Sequence, residues 1–481
     1  MHKPIHTLAF IIATSFVLIA IALIIPDNGI AISESVCIKF PSFHSLFSSQ
    51  SPQKKDITTI IALADSVEHN ATPKVDTLLN DKKEPVIKLN TSIQYKDESR
   101  QSLSQFFNAL QNISNEANSI RILHYGDSQI EGDRISDYLR MKLQDQFGGA
   151  GPGLISFMPV APSVINKLSW SENWDRYPVF IGKDKRVKHS SFGILAHMTR
   201  FSKYIELQDT TQHKSAWIKM TTSKNGGMQA ASYQTIKLFY GGAKTKTQID
   251  FYENGVLNNS DSLSAGGYFN VKEYHLNQKP SLQEFKFKGK DSPDFYGVSL
   301  EGEKGVMVDN IGLRGSSGTF FNQINFNQLQ QFYAYLNTKL IILQFGGNTL
   351  PYISTPEQTI QYGRYLKAQI LTIKKLAPQA SLLIIGPADM SVKVGTSYET
   401  HPQLEDLRDA IKETAFETDC AFFDLYNCMG GKNSMVSWVD AGIGAKDYIH
   451  FSAGGARKIA VLLYTSLIND YSNYTQLKKT L

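Results

Sequence analysis

Residues 165–308 constrain the possible folds most, because they interrupt one pattern with another. On either side, apolar strand-like runs alternate with amphipathic helical ones, the texture of a doubly wound parallel sheet. Inside, short runs such as AWIKMTT, TIKLFYG, TQIDFYENG, EFKFKG and YGVSLEG alternate or are β-branched and aromatic. Gly, Asn, Asp and Ser separate them, which predicts a β-sandwich. The chain is 481 residues long, too long for one ordinary core. The expectation is one α/β domain in two parts, 101–164 and 309–481, with a β-sandwich inserted at 165–308.

The α/β parts can be read element by element. Leu103, Phe106, Phe107 and Leu110 lie at helical spacing and open the globular region. Residues 122–125 form a buried strand that stops at Gly126-Asp127-Ser128. Ile135, Leu139, Leu143 and Phe147 then line one helical face, with Asp133 as the predicted N-cap and Gly148 as the stop. In the second part, KLIILQFGGN, ASLLIIGP and CAFFDLY read as strands. EQTIQYGRYLKAQILTIKKLAP, EDLRDAIKETAFET and GGARKIAVLLYTSLI read as helices.

The N-terminus makes a separate statement. Residues 8–25 carry no charge and approach the ~20 residues of a transmembrane helix. They exceed the ~7–15 residues of a usual signal-peptide core. Lys3 on the short side keeps that end in the cytoplasm. Residues 1–26 are therefore expected to be a transmembrane anchor, with all that follows outside the cytoplasm. A cleavage site at Gly29-Ile30-Ala31 is the alternative. Residues 27–100 read as a linker rich in Pro, Ser, Lys and Asp, with a short helix near 57–67. The net charge of +5 comes from 49 basic and 44 acidic residues spread along the chain, so nucleic acid is not an expected partner. Cys37, Cys420 and Cys428 fit neither a disulfide framework nor a zinc pattern. Cys420 and Cys428 are expected to be buried and inert, and no metal or cofactor is expected.

Four spots sit at strand ends or in the loops beyond them, where open α/β sheets bind ligands. At Ser128, a serine hydroxyl on a tight turn is either a cap or a nucleophile. A nucleophilic serine needs an imidazole to take its proton and an acceptor to orient that imidazole. Asp447 and His450, in DYIHFS just before the last helix, offer both. His124 in the first strand and His401 in a polar loop are the competing bases. Asn348, ending IILQFGGN, carries an amide that can donate to an oxyanion. Gly312, Gly315 and Gly318 in DNIGLRGSSG offer backbone donors. A plain Gly-Asn turn and a plain glycine loop explain the last two spots equally well.

Their order is more specific than any one of them. GDS, a glycine turn, GxN and DxxH before the last helix together resemble the SGNH (GDSL-type) hydrolase family, over residues 101–164 and 309–481. The resemblance implies an α/β three-layer sandwich with a parallel sheet. It implies Ser128 as nucleophile, His450 as base and Asp447 as its orienting acid. The implied oxyanion hole is the N–H groups of Ser128 and Gly315 and the amide of Asn348, and Asp127 is implied to be a structural turn residue. Thr349 departs from the Asp that many members carry there. The inserted β region resembles bacterial peptidoglycan O-acetylesterases, which carry a carbohydrate-binding-like module at this point. The implied function is removal of O-acetyl groups from an envelope glycan, peptidoglycan first, by a membrane-anchored periplasmic enzyme. The alternatives are an O-acetyltransferase with the same triad and a non-catalytic glycan-binding protein. Trp170, Trp174 and Trp217 are candidates to stack on sugars or to fill the sandwich core. Trp438 is a candidate for the pocket wall or for the core.

Overall fold

A computed structural model of the chain describes residues 4–25, 30–33, 36–38, 54–69, 92–204, 212–222, 227–395 and 397–480. The expected cleavage site at residues 29–31 and the Cys37 side chain fall largely outside what is described. Five parallel strands form the central sheet, in the spatial order Val306–Gly312, Ile120–Gly126, Thr338–Gln344, Ser381–Ile385, Ala421–Phe423. These strands read as continuous apolar runs because helices cover both faces. Leu123, Tyr125, Ile341 and Leu343 point to one face, toward Phe326–Tyr335, Pro356–Leu376 and Leu404–Glu417. Ile120, Ile122, Leu340 and Ile342 point to the other, toward Ser104–Gln111, Ser136–Phe147 and Ala453–Thr480. The expected three-layer architecture is present.

The insert is the expected sandwich of two antiparallel sheets. One sheet runs Val256–Leu263, Thr247–Glu253, Leu282–Gly289, Lys214–Thr222, Asn166–Trp170. The other runs Asn270–His275, Thr235–Gly241, Asp294–Glu301, His197–Arg200, Asp175–Pro178. Between them lies an aromatic core in which Trp174 meets Phe157, Phe201, Phe287 and Phe295 at centroid distances of 5.4–5.7 Å. Trp174 is therefore core, not a sugar platform. Trp170 packs against the same core from its edge. Trp217 stays on the outer face, 5.2 Å from the ammonium of Lys219.

Sheet membership departs from the expected boundaries at both ends. Gly153–Ile155 already pairs with Asp294–Glu301 in the insert, and Val306–Gly312 is a strand of the parallel sheet. The glycine-rich run after residue 147 is not a simple helix stop. It threads between the two sheets where side chains do not fit. At Gly153, with φ +81°, a Cβ would collide with the Asp309 carboxylate. Asp133 does not cap the helix at Ser136. Its carboxylate is taken by Arg140 and by the Ser163 hydroxyl, each at 2.7 Å. Gly148 ends that helix with φ 75°.

The linker expectation needs a correction. Thr58–His69 is helical, as read, but it is docked rather than free. Ile57, Ile60, Ala64 and Val67 are buried in the same core as the last helix, and Ile93 joins them. Arg457 and Lys458 pair with Glu68 and Asp65. An apolar helical face beside an open helix pair is more stable covered than wet. Pro4–Ile24 is a 21-residue helix of mean hydropathy 2.7 in its most apolar window, long and apolar enough to cross a membrane.

One buried ionic cluster joins insert and parallel sheet. Arg121, 2 % exposed, donates to Asp309 at 2.8 Å and to Ser299 at 2.7 Å, and also pairs with Glu301. Arg121 lies on the Ser128 strand, Asp309 on the neighbouring strand, and Ser299 and Glu301 on an insert strand. Removing one member of such a cluster leaves the others charged and buried. Arg121→Leu is expected to lower unfolding free energy by about 3–5 kcal/mol, measured by urea denaturation. A loss near zero would mean water reaches the two carboxylates.

Candidate active site

The site forms at the carboxyl edge of the parallel sheet, from loops far apart in sequence. After Ile120–Gly126 the chain turns at Asp127-Ser128. The turn is tight because a Cβ on Gly126 would press Ile130 at 2.9 Å and the Gln344 carbonyl at 3.0 Å. The Asp127 carboxylate accepts the Gln129 N–H at 2.9 Å, an Asx turn. Ser128 is left half-buried at the edge.

His450 reaches Ser128 from the loop before the last helix. Its Nε2 lies 2.8 Å from Ser128 Oγ, and its Nδ1 lies 2.7 Å from Asp447 Oδ2. A carboxylate only accepts, so Nδ1 carries the proton and Nε2 is free to accept from the serine hydroxyl. The other Asp447 oxygen takes the N–H groups of Ile449 and His450, both at 2.9 Å. Partial burial raises the Asp447 pKa, but these donors and the imidazole outweigh it and hold the carboxyl below its usual range. It stays ionised, as an orienting group must.

The DxxH turn is tightly sprung. Tyr448 adopts φ 60°, which is costly for an aromatic residue. Two contacts hold it there. Its ring stacks on Tyr398 with centroids 3.7 Å apart, and its carbonyl accepts the Ser391 N–H at 3.0 Å. Both partners belong to the hairpin Ser391–Val394 and Ser397–Thr400.

The predicted oxyanion donors gather on the adjoining loops. Gly315 is exposed on its turn with φ +81°. Asn348 Nδ2 donates to the Ser316 carbonyl at 3.1 Å, which leaves its second N–H available beside that turn. The structure thus brings Ser128, Asp447 and His450 together and sets Asn348 against the Gly315 loop. The competing histidines stay apart. His124 is buried between Ser136 and Gln344, and burial lowers its pKa to about 4. His401 Nδ1 accepts the Gln403 N–H. Trp438 is fully buried, donates to the Met429 carbonyl at 2.9 Å and packs on Phe451, so it is core. Cys420 and Cys428 are buried free thiols, and burial raises both pKa values.

Sequence reasoning missed three residues that tie these loops together. Gln129 donates to the Ile449 carbonyl at 2.6 Å and accepts the Phe451 N–H at 3.4 Å, clasping the His450 loop to the Ser128 turn. Arg314 forms two 2.8 Å hydrogen bonds to Glu131, joining the Gly315 turn to the same segment. Opposite charges in two loops expected to converge were the available signal for this pair. For Gln129 there was only its place after the serine.

Comparison with known proteins follows this geometry. The model of the GDSL-like lipase/acylhydrolase family matches residues 261–458, a stretch that begins within the insert and contains Gly315, Asn348, Asp447 and His450. A solved structure described as a peptidoglycan O-acetylesterase in action is similar over 79% of this chain and 99% of that one, at 23% identity and a TM-score of 0.61. This is an SGNH hydrolase fold. An acetyl xylan esterase is similar over 34% of this chain and 81% of its own, at 16% identity and a TM-score of 0.27. A family two carbohydrate esterase from Clostridium thermocellum in complex with cellohexaose is similar over 54% and 93%, at 10% identity and a TM-score of 0.25. No curated protein matches the chain.

Two outcomes are expected from this arrangement. Gln129→Ala should leave the fold intact and reduce kcat by about 10- to 100-fold through misplacement of His450, with little change in KM. Steady-state kinetics on a chromogenic ester check this. Asp127 is the second case. Burial raises its pKa to about 6, against the Gln129 N–H and the His450 charge, which lower it. A carboxyl with a raised folded-state pKa holds its proton more tightly when folded, so stability falls as pH rises from about 4 through 6. Asp127→Asn removes that dependence. Its stability relative to wild type should improve between pH 4 and pH 7 by up to about 3 kcal/mol, measured by denaturation at both values.

Proposed function

We propose that this chain is a serine esterase that removes O-acetyl groups from a cell-envelope glycan, peptidoglycan being the leading substrate. In this reading the N-terminal helix anchors it and the catalytic domain lies outside the cytoplasm. The observation that carries the proposal is the continuous relay from Ser128 Oγ through His450 to Asp447, with hydrogen bonds of 2.8 and 2.7 Å. The fold likeness to a peptidoglycan O-acetylesterase over nearly all of that protein supports the choice of substrate.

The mechanism follows from the proton positions. Ser128 Oγ attacks the acetyl carbonyl while His450 Nε2 takes its proton, and Asp447 stabilises the resulting imidazolium. Negative charge on the carbonyl oxygen is met by the N–H groups of Ser128 and Gly315 and the free N–H of Asn348. The imidazolium returns its proton to the departing sugar hydroxyl, leaving acetyl on Ser128. Water, deprotonated by His450, then releases acetate. An anchor suits an immobile polymer beside the membrane.

The test is acetate release from O-acetylated peptidoglycan by the full chain in detergent. Residues 54–69 must be kept, because they cover the core under the last helix. Ser128→Ala should abolish release while the fold persists. Asn348→Ala should cost about 3 kcal/mol of transition-state stabilisation, seen in kcat more than KM. Acetyl recovered on an acceptor sugar instead of as free acetate would make the chain a transferase. Wild-type release by folded Ser128→Ala would overturn the mechanism.

A further inference from the structure

A small cavity of about 90 Å³ lies where the insert meets the catalytic edge. One wall is Glu131–Asp133, just beyond Ser128. Another is residues 310–313, which lead into the Gly315 turn. The insert closes it with Ser156, Arg176, Leu195 and His197. The insert touches the oxyanion turn itself: a Cβ on Gly315 would stand 3.9 Å from Ile181, five residues after Arg176. The cavity therefore adjoins the loops that carry the triad serine and its oxyanion donor.

Its charged groups are not equivalent. Glu131 already binds Arg314, and Asp133 already binds Arg140. Among the described residues no carboxylate lies within ion-pair distance of Arg176, and its Nε is buried without a hydrogen bond. Its guanidinium meets His197 Nδ1, 3.2 Å from Nη2. That contact is not a hydrogen bond. His197 Nδ1 lies 2.8 Å from the Leu195 carbonyl, which only accepts, so Nδ1 carries a proton. Nε2 then accepts from the Ser156 hydroxyl at 2.6 Å. Arg176 thus presents a donor to a donor. Burial lowers its pKa to about 10, and no nearby acid offsets that. A guanidinium held this way lacks an anion.

We infer that Arg176 receives a carboxylate of the substrate, carried on or beside the sugar that bears the acetyl ester. This rests on the esterase reading and narrows its substrate to an acidic glycan. A planar carboxylate matches the guanidinium fork, and the cavity has room for such a group. The Asn310 and Ser163 side chains in the same lining add polar surface around it.

The experiment uses the full chain in detergent and three acetyl esters. They are 6-O-acetyl-N-acetylmuramic acid, its carboxyl methyl ester and p-nitrophenyl acetate. Wild type should turn over the free acid with a kcat/KM about ten-fold or more above that of its methyl ester. Added salt should shrink that ratio. Arg176→Gln should bring the ratio to about one while p-nitrophenyl acetate turnover is kept, and Arg176→Lys should retain part of the preference. Equal turnover of acid and methyl ester by wild type would overturn the inference, and this comparison does not depend on any variant folding. So would a preference that persists in Arg176→Gln, or an equal loss on all three esters, which would make Arg176 structural. Failure of wild type on p-nitrophenyl acetate and both sugars would instead overturn the esterase reading.

Discussion

The Arg121 guanidinium fixes the frame in which everything else is placed. It is the cation for two carboxylates that arrive from different parts of the chain, Asp309 on the neighbouring parallel strand and Glu301 on the insert. Asp309 also accepts the Leu154 N–H at 2.7 Å, so the first insert strand is held by the same group. Around this cluster the two bodies share a core. Tyr177, Val179, Leu195, Met198 and Tyr296 of the insert pack with Leu123, Tyr125 and Phe332 of the α/β part. Tyr125 adds a 3.0 Å hydrogen bond to the Ile194 carbonyl. The insert is thus not a module on a flexible stem, and its removal would uncover the part of the parallel sheet around Leu123 and Tyr125.

A rigid frame matters because the relay is assembled from loops. Three ties convert sheet rigidity into side-chain placement: Gln129 to the His450 loop, Glu131 to Arg314, and Tyr398 to Tyr448. Each joins loops emerging from different strands, so a shift in one would be felt at the reacting atoms. The left-handed Tyr448 shows the cost of this arrangement. Its conformation is unfavourable alone and persists because stacking and the Ser391 hydrogen bond over-determine it. The Asp127 carboxyl, buried under the nucleophile turn, is a second local cost taken for geometry.

Much of this was legible in the sequence, for identifiable reasons. Side-chain periodicity marks strands and helices, and strand ends in an open α/β sheet point to one edge. Ser128, the glycine turn at 312–318, Asn348 and His450 could therefore be placed together without a structure, and the family resemblance singled out Gly315 within that turn. The insert was visible as a change of texture. What stayed hidden depends on partners far away in the chain. Thr58–His69 was readable as a helix, but nothing local says that Ile57, Ile60 and Ala64 find a groove beside the last helix. The insert's true ends were obscured because glycines at 148–153 signal a turn equally well whether a sheet partner waits beyond or not. Trp174 has the composition of a sugar platform, and only its neighbours Phe157, Phe201, Phe287 and Phe295 make it core. Gln129 and Arg176 are single polar residues whose meaning lies entirely in what faces them.

The topology explains how an insert can shape a site it enters from the opposite end. The chain leaves and rejoins the α/β part at the amino edge of the sheet, where the Gly305 carbonyl accepts the Ile120 N–H at 2.9 Å and Gly148 meets Val306. Ser128, Gly315 and Asn348 lie at the carboxyl edge, the full length of a strand away. A loop-sized insertion at that entry point would not reach them. A sandwich does, because its strands are as tall as the sheet they lie against. Its edge strand Asp175–Pro178 then delivers Arg176 and, a few residues on, Ile181 to the rim around Ser128 and Gly315. The insert thus spans from the amino edge, where it joins the sheet, to the carboxyl edge, where its residues line the cavity beside residues 310–313.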